Sequence, residues 1–351
     1  WYRYRFNAKL VINSSGYWLD YPSLGYGQGS YIVSGNMFGF TSGFAGVQFL
    51  VIPSAPLLTG SAATAVSLRD SGGASAQVAE VIGTSAGAGA GFAVSRSGTS
   101  SLRVYGIRNG DTTSPTLYAA SVTVPSNSSP TRAGISTNGN TLDALDGRVF
   151  NAIWRDGSLV TAHSSSPTST DPLAVRWYEV NTASWPTSGT PTLVQAGLVS
   201  SPTLDYFTPA INKNAAGDIS LLFTGSNSST TANIMVAGRK STDAAGFMGA
   251  PMVMRTSDGS SYSQGRWGDY FGVDVDPTDD ATFRGVGEFV GASNGWATEL
   301  LTWTVTQSAP TAPIGLAATA NSSSQVTVTW TDNANEASYS LERGTDGRPS
   351  C

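Results

Sequence analysis

Short β-branched and aromatic runs, each cut off by Gly, Asn, Asp, Ser or Pro, recur along the whole chain and constrain its fold more than any other feature. Runs of this kind read as strands. They include Tyr31–Val33, Gln48–Ile52, Gly91–Val94, Leu102–Tyr105, Val149–Trp154, Val175–Val180, Ile219–Phe223, Ile234–Ala237, Phe271–Val275, Thr282–Phe289 and Glu299–Val305. Few segments carry a 3.6-residue apolar period. With 40% hydrophobic but only 12% charged residues, and 40 glycines in 351, the composition is that of a turn-rich β protein.

The runs gather in groups of about four, with boundaries near 17–59, 75–125, 143–199, 203–257 and 265–306. Groups of this size predict an all-β fold, a β-propeller of four-stranded antiparallel blades. Residues 1–16 can add strands to a further blade, so five to seven blades are expected, six favoured. A β-sandwich would stop near about 100 residues, and a β-helix repeats over a much shorter period.

A second organisation begins after residue 306. The segment 307–313, Gln-Ser-Ala-Pro-Thr-Ala-Pro, reads as a stiff Pro-rich linker. Beyond it Leu316, Val326, Val328, Trp330, Tyr339, Leu341 and Arg343 alternate with polar residues. The spacing of Trp330 and Tyr339 resembles the opening strands of a fibronectin type III domain, which would make 314–351 a truncated β-sandwich module after a propeller at 1–306.

Charge and cysteine narrow the function classes. A formal net charge of −5, with Lys9, Lys213 and Lys240 the only lysines, is unsuited to nucleic acid. No apolar run is long enough to span a membrane as a helix. Cys351, the only cysteine, excludes an internal disulfide. The opening Trp1 suggests a piece of a longer parent chain with any signal upstream, and an extracellular or cell-surface location is expected. The Asn-x-Ser sequons at Asn13, Asn127, Asn227 and Asn321 suit exposed loops.

Three Asp-Tyr pairs stand where innermost strands should begin: Asp20-Tyr21, Asp205-Tyr206 and Asp269-Tyr270. Repeat symmetry would bring them to one mouth of a central channel. Carboxylates gathered there can bind a cation, accept sugar hydroxyls, or raise one another's pKa for acid–base work. In the plainer reading each Asp caps a turn. Arg266 and Trp267 beside Tyr270 can form a platform for a sugar ring, although Trp267 can equally pack between blades. Glu288 and Glu179 are further acid–base candidates. Asp274, Asp276, Asp279 and Asp280 suggest a small calcium loop or a solvated hairpin tip, so the cofactor is none or calcium. His163, the only histidine, is the sole residue a Ser-His-Asp triad could use, and no Gly-x-Ser-x-Gly elbow accompanies it. Gly87 to Gly91 lacks the Lys and helix of a nucleotide loop.

Ser241-Thr242-Asp243-Ala244-Ala245-Gly246-Phe247 resembles an Asp box with one extra residue and no Thr-Trp ending. With the blade-like groups and the fibronectin-like tail, the chain resembles the sialidase-like propellers that carry bacterial neuraminidase repeats. The resemblance implies glycoside hydrolysis by a Tyr–Glu pair, an Asp acid and three arginines. Arg266 and Tyr270 can belong to such a site, but no complete set is present. Two functions follow as expectations. One is a non-catalytic binding or adhesion module for a glycan or surface protein. The other is a sialidase-like hydrolase of extracellular polysaccharide or glycoconjugate.

Overall fold

The computed structural model describes residues 2–83, 89–167, 172–305 and 314–331. The chain divides into two compact units, 1–307 and 308–351. The linker 307–313, Tyr339, Leu341, Arg343, Cys351 and Gly87 lie outside the described residues.

The regular structure of unit 1 is almost entirely strand. A short hairpin strand β1 (Leu10–Ile12) leads into the first sheet, β2 (Ser15–Gly27), β3 (Ser30–Gly39), β4 (Phe44–Pro53) and β5 (Val66–Asp70), with helix α1 (Ser54–Thr59) between its last two strands. The second group is β6 (Gln77–Ile82), β7 (Ala90–Arg96), β8 (Ser101–Arg108) and β9 (Thr116–Thr123). A two-stranded piece follows, β10 (Gly134–Ile135) with β11 (Thr141–Leu142). The third group is β12 (Val149–Arg155), β13 (Ser158–Ser165), β14 (Ala174–Asn181) and β15 (Thr192–Val199). The fourth is β16 (Asp205–Lys213), β17 (Ile219–Asn227), β18 (Thr230–Arg239) and β19 (Met252–Arg255). The fifth has three strands, β20 (Gly272–Val275), β21 (Phe283–Val290) and β22 (Trp296–Trp303). Each group is an antiparallel meander. Five such groups occur among the described residues, and the N-terminal strand β1 pairs with β2 rather than opening another.

Local chemistry sets the hairpins. Gln28 and Gly29 both have positive φ (46° and 63°), as do Asp156 and Gly157 (48° and 90°). Two such residues between paired strands make the primed turns whose twist matches a hairpin.

Four cores join consecutive groups face to face. Phe49 and Val51 meet Val78 and Ile107. Phe92 and Val104 meet Trp154 and Tyr178, with Phe92 and Trp154 stacked at 5.3 Å. Trp177 and Val160 meet Ile211 and Phe223. Leu222 and Ile234 meet Phe283 and Trp303. Burying such faces is the main favourable term for strands whose hydrogen bonds exchange with water.

The first strands of the groups follow one another side by side. β2 and β12 both pair in parallel with β6. Gly25 permits the close approach, since an added Cβ would lie 2.4 Å from the Ala79 carbonyl oxygen. Asn151 bridges onward, donating to the Ile211 carbonyl (2.9 Å) and accepting from the Ile211 N–H (3.0 Å). Asn212 donates to the Val273 carbonyl at 2.9 Å.

Between the fifth group and the first the arrangement differs. Tyr21 and Tyr270 touch, but among the described residues no buried apolar cluster joins these sheets. Their facing sides stay open, with Leu24 63%, Tyr26 40%, Val286 42% and Leu300 64% exposed.

Unit 2 is described only as a hairpin, β23 (Ile314–Ser322) against β24 (Gln325–Thr331), exposed along most of its length.

Candidate functional site

The middle of β2 carries an irregularity that recurs in β16. In each, two residues oppose one on the neighbouring strand, Tyr21-Pro22 and Thr208-Pro209. Tyr21 and Thr208 both have positive φ, 52° and 51°. Positions like these are strained and persist only where surrounding contacts enforce them. The structural repeat therefore aligns Tyr21 with Thr208, two residues away from the alignment the Asp-Tyr pairs suggest.

That shift separates the three predicted pairs. Asp20 is exposed beside the Tyr21 bulge, and its charge reaches Tyr270. Asp269 adjoins Tyr270 directly. Asp205 instead lies buried, gripped by Arg132 through two bonds (2.6 and 2.7 Å) and by the N–H groups of Ile135 and Leu173, each at 2.7 Å. Its oxygens are occupied by structural donors, and Tyr206 packs edge-on against Phe223 in the third core. Asp20 and Asp269 both act on Tyr270 through their charge, and Asp205 and Tyr206 serve the interior.

Tyr270 is 55% exposed and stacks on buried Tyr21, ring centres 5.3 Å apart and planes within 21°. The Tyr21 hydroxyl reaches the Asp269 carbonyl at 3.4 Å. Arg148 lies 4.4 Å from the Tyr21 ring centre and is locked to Asp146 by two 2.8 Å bonds. Burial pushes the Tyr21 phenol up, against the lowering pull of Arg148. Burial likewise raises Tyr270, helped by Asp269 and Asp20. The Arg148 bonds hold the Asp146 carboxyl below its usual range.

Beside this platform is a hollow of about 260 Å³ lined by Tyr262, Arg266, Asp269, Glu288 and Trp296. Arg266 is exposed and pairs with Asp269. Glu288 accepts the Gly268 N–H at 2.8 Å. Burial raises its carboxyl, the Gly268 bond opposes this, and the Asp269 charge adds to the rise. Trp296 is 63% exposed. Trp267 borders the same hollow from within. It is buried, donates from Nε1 to Thr224 Oγ1 (2.9 Å) and packs edge-on against Tyr262, which is the inter-sheet role.

The acidic run forms a hairpin tip whose carboxylates already accept internal donors. Asp276 accepts the Thr278 N–H and hydroxyl and two bonds from Arg284. Asp279 accepts from Ala281 and Thr282, Asp280 pairs with Arg155, and Asp274 accepts the N–H of Val275. Calcium needs several converging oxygens, and among the described residues no group of three or more His, Cys, Asp or Glu can hold a metal.

Glu179 is buried. Burial pushes its carboxyl up, but bonds from Gln195, Lys213 and Ser158 outweigh this and hold it low. His163 is wholly buried between the Ser164 carbonyl and the Tyr178 hydroxyl. Asp243 sits in the turn between β18 and β19 and accepts the Lys240 N–H at 2.8 Å. Sequence reasoning missed Arg148, Asp146 and Trp296. The first two flank Gly147 in the loop before β12, and their only signal was position, just ahead of an innermost strand.

No protein-family model and no curated protein matches the chain. Among solved structures it resembles an alpha-L-arabinofuranosidase from Lactobacillus brevis at 13% identity and TM-score 0.39, covering 83% of this chain and 92% of that one. A neuraminidase-like protein of A/flat-faced bat/Peru/033/2010 aligns at 10% identity and TM-score 0.38, over 88% and 79%. An alpha-L-arabinofuranosidase from Podospora anserina aligns at 12% identity and TM-score 0.37, over 81% and 90%. Likeness at this level assigns no activity to the chain.

Proposed function

We propose that unit 1 is a five-bladed propeller serving as an extracellular, non-catalytic carbohydrate-binding module, with its ligand held at the mouth formed by Tyr21, Tyr270 and Asp269. The single observation that carries this is the Tyr270 ring, exposed on one face and braced on the other by buried Tyr21. A rigid aromatic face loses little entropy when a sugar's C–H face stacks on it. Around the ring, Asp20, Asp269 and Arg266 offer the acceptors and donors that sugar hydroxyls need. The side-by-side first strands and the Tyr21–Tyr270 contact support the propeller reading of the five sheets. The hairpin at 314–331 supports a fibronectin-like spacer toward further domains.

A glycan array and calorimetry on the wild-type chain and Tyr270→Ala test the reading. Tyr270→Ala is expected to weaken binding about ten-fold or more. A wild-type chain that binds no glycan on the array ends it.

One observation favours a second reading, glycoside hydrolysis. Glu288 and Asp269 line the same hollow, and burial together with the Asp269 charge raises the Glu288 carboxyl, an arrangement that suits an acid beside a charged partner. Turnover of chromogenic glycosides that vanishes in Glu288→Gln would establish it, and no turnover by the wild type removes it.

A further inference from the structure

We propose that the cleft bordered by the first and last sheets and by strands β6 and β12 is a second binding site, taking the continuation of a polyhydroxylated chain whose end is held at the mouth. The cleft encloses about 420 Å³, and its lining includes Leu24, Gln77, Glu80, Tyr270, Asp274 and Leu300. That volume falls within the ~300–1,000 Å³ usual for small-molecule sites.

Three features make it a site and not merely a gap. Gln77 is only 3% exposed, lines the cleft, and its Nε2 finds no hydrogen-bond partner among the described residues. Buried polar groups are almost always paired in folded chains, so this amide is a donor kept for something that enters. Glu80 pairs with Tyr26 of β2 and Ile153 of β12, which sets it on the inner strands. Asp274 of β20 is close enough to repel it: the crowding of protein around Glu80 raises its carboxyl, and the Asp274 charge raises it further. Leu24 and Leu300, exposed from the two facing sheets, supply apolar walls.

A deep donor, two acceptors and apolar walls match the alternating C–H and O–H faces of a saccharide. A hard cation fits poorly, because two carboxylates fall short of its ligand number. The direction of the ligand follows from neighbours in sequence: Asp269 lines the hollow and Tyr270 lines the cleft. A chain crossing Tyr270 passes from one to the other.

This inference rests on the carbohydrate reading above, and calorimetry separates the two. The probes are cellohexaose, xylohexaose and arabinohexaose, each beside its disaccharide. The wild type is expected to bind one hexasaccharide about ten-fold more tightly than its disaccharide. Gln77→Leu, Glu80→Gln and Asp274→Asn, each with an unchanged near-UV dichroism spectrum, are expected to erase that gain and leave disaccharide affinity within about two-fold. Disaccharide binding with no gain from length, or a gain that survives all three substitutions, overturns the inference alone. Tyr270→Ala binding both sugars as the wild type does overturns the reading beneath it.

Discussion

Tyr21 and Tyr270 stack at 5.3 Å although one lies in β2 and the other two residues ahead of β20. The two rings are unequal partners. Tyr21 is 8% exposed and held in positive φ, whereas Tyr270 is 55% exposed. Tyr21→Ala should therefore cost about 2–4 kcal/mol in urea unfolding, as large aromatic truncations in a packed site do. Tyr270→Ala should stay within about 1 kcal/mol of wild type while losing the ligand. Equal destabilisation by the two changes would show that Tyr270 is a packing residue and not a platform.

Asp205 and Asp269 look alike in the sequence and are opposites in the fold. Asp205 is buried with Arg132 and two backbone N–H groups. Asp205→Ala leaves Arg132 without its partner and should cost about 3–5 kcal/mol. Asp269 forms an ion pair with exposed Arg266, and Asp269→Ala should cost about 0–1 kcal/mol. Urea midpoints for the two variants check this. A stable Asp205→Ala that loses binding would restore the role its sequence neighbourhood suggested.

The contrast shows what a sequence read of this kind can reach. Strand groups were legible because turn residues such as Asp156-Gly157 punctuate β-branched runs. Asp20 and Asp269 each precede a Tyr and those two rings stack, although Tyr21 lies inside β2 and Tyr270 two residues ahead of β20. The inclusion of Asp205 failed because the true repeat is a backbone irregularity, Tyr21-Pro22 and Thr208-Pro209, carried by a positive φ and marked in the sequence only by the shared proline, not by an Asp-Tyr pair. Trp267 and Trp296 could not be told apart by type, since packing alone decides which is buried. Gln77 and Glu80 gave no signal, because their place on the cleft is set by β6 pairing with both β2 and β12.

Asp276 tests the acidic hairpin. Thr278 and Arg284 hold its carboxyl down to about 2. A depressed carboxyl stabilises the folded state above its unfolded value near ~3.9, and that contribution is lost as pH falls through about 2. Asp276→Asn should flatten the fall in melting temperature between those pH values. Millimolar calcium should leave the melting temperature of the wild type unchanged, because these carboxylates already have donors. A calcium-dependent rise abolished by Asp276→Asn would reinstate a cation loop.

His163 gives the opposite side of the same linkage. Its ring is fully buried, Nε2 lying 3.0 Å from the Tyr178 hydroxyl and Nδ1 2.6 Å from the Ser164 carbonyl. Burial drives its pKa down to about 3, and the Arg96 and Arg176 charges lower it further against the Ser164 bond. The unfolded chain takes up a proton near ~6.5 and the folded chain does not. Below that pH the unfolded state binds more protons, so stability falls as pH drops from about 6.5 toward 3. The loss through this one group should be on the order of a few kcal/mol. Urea midpoints at pH 7.5 and 4.5 should differ clearly for the wild type and less for His163→Gln, whose amide can keep a bond to Tyr178 without titrating. The two proteins losing the same stability over that interval would place the acid sensitivity elsewhere, and would mean that His163 carries a proton in the folded chain.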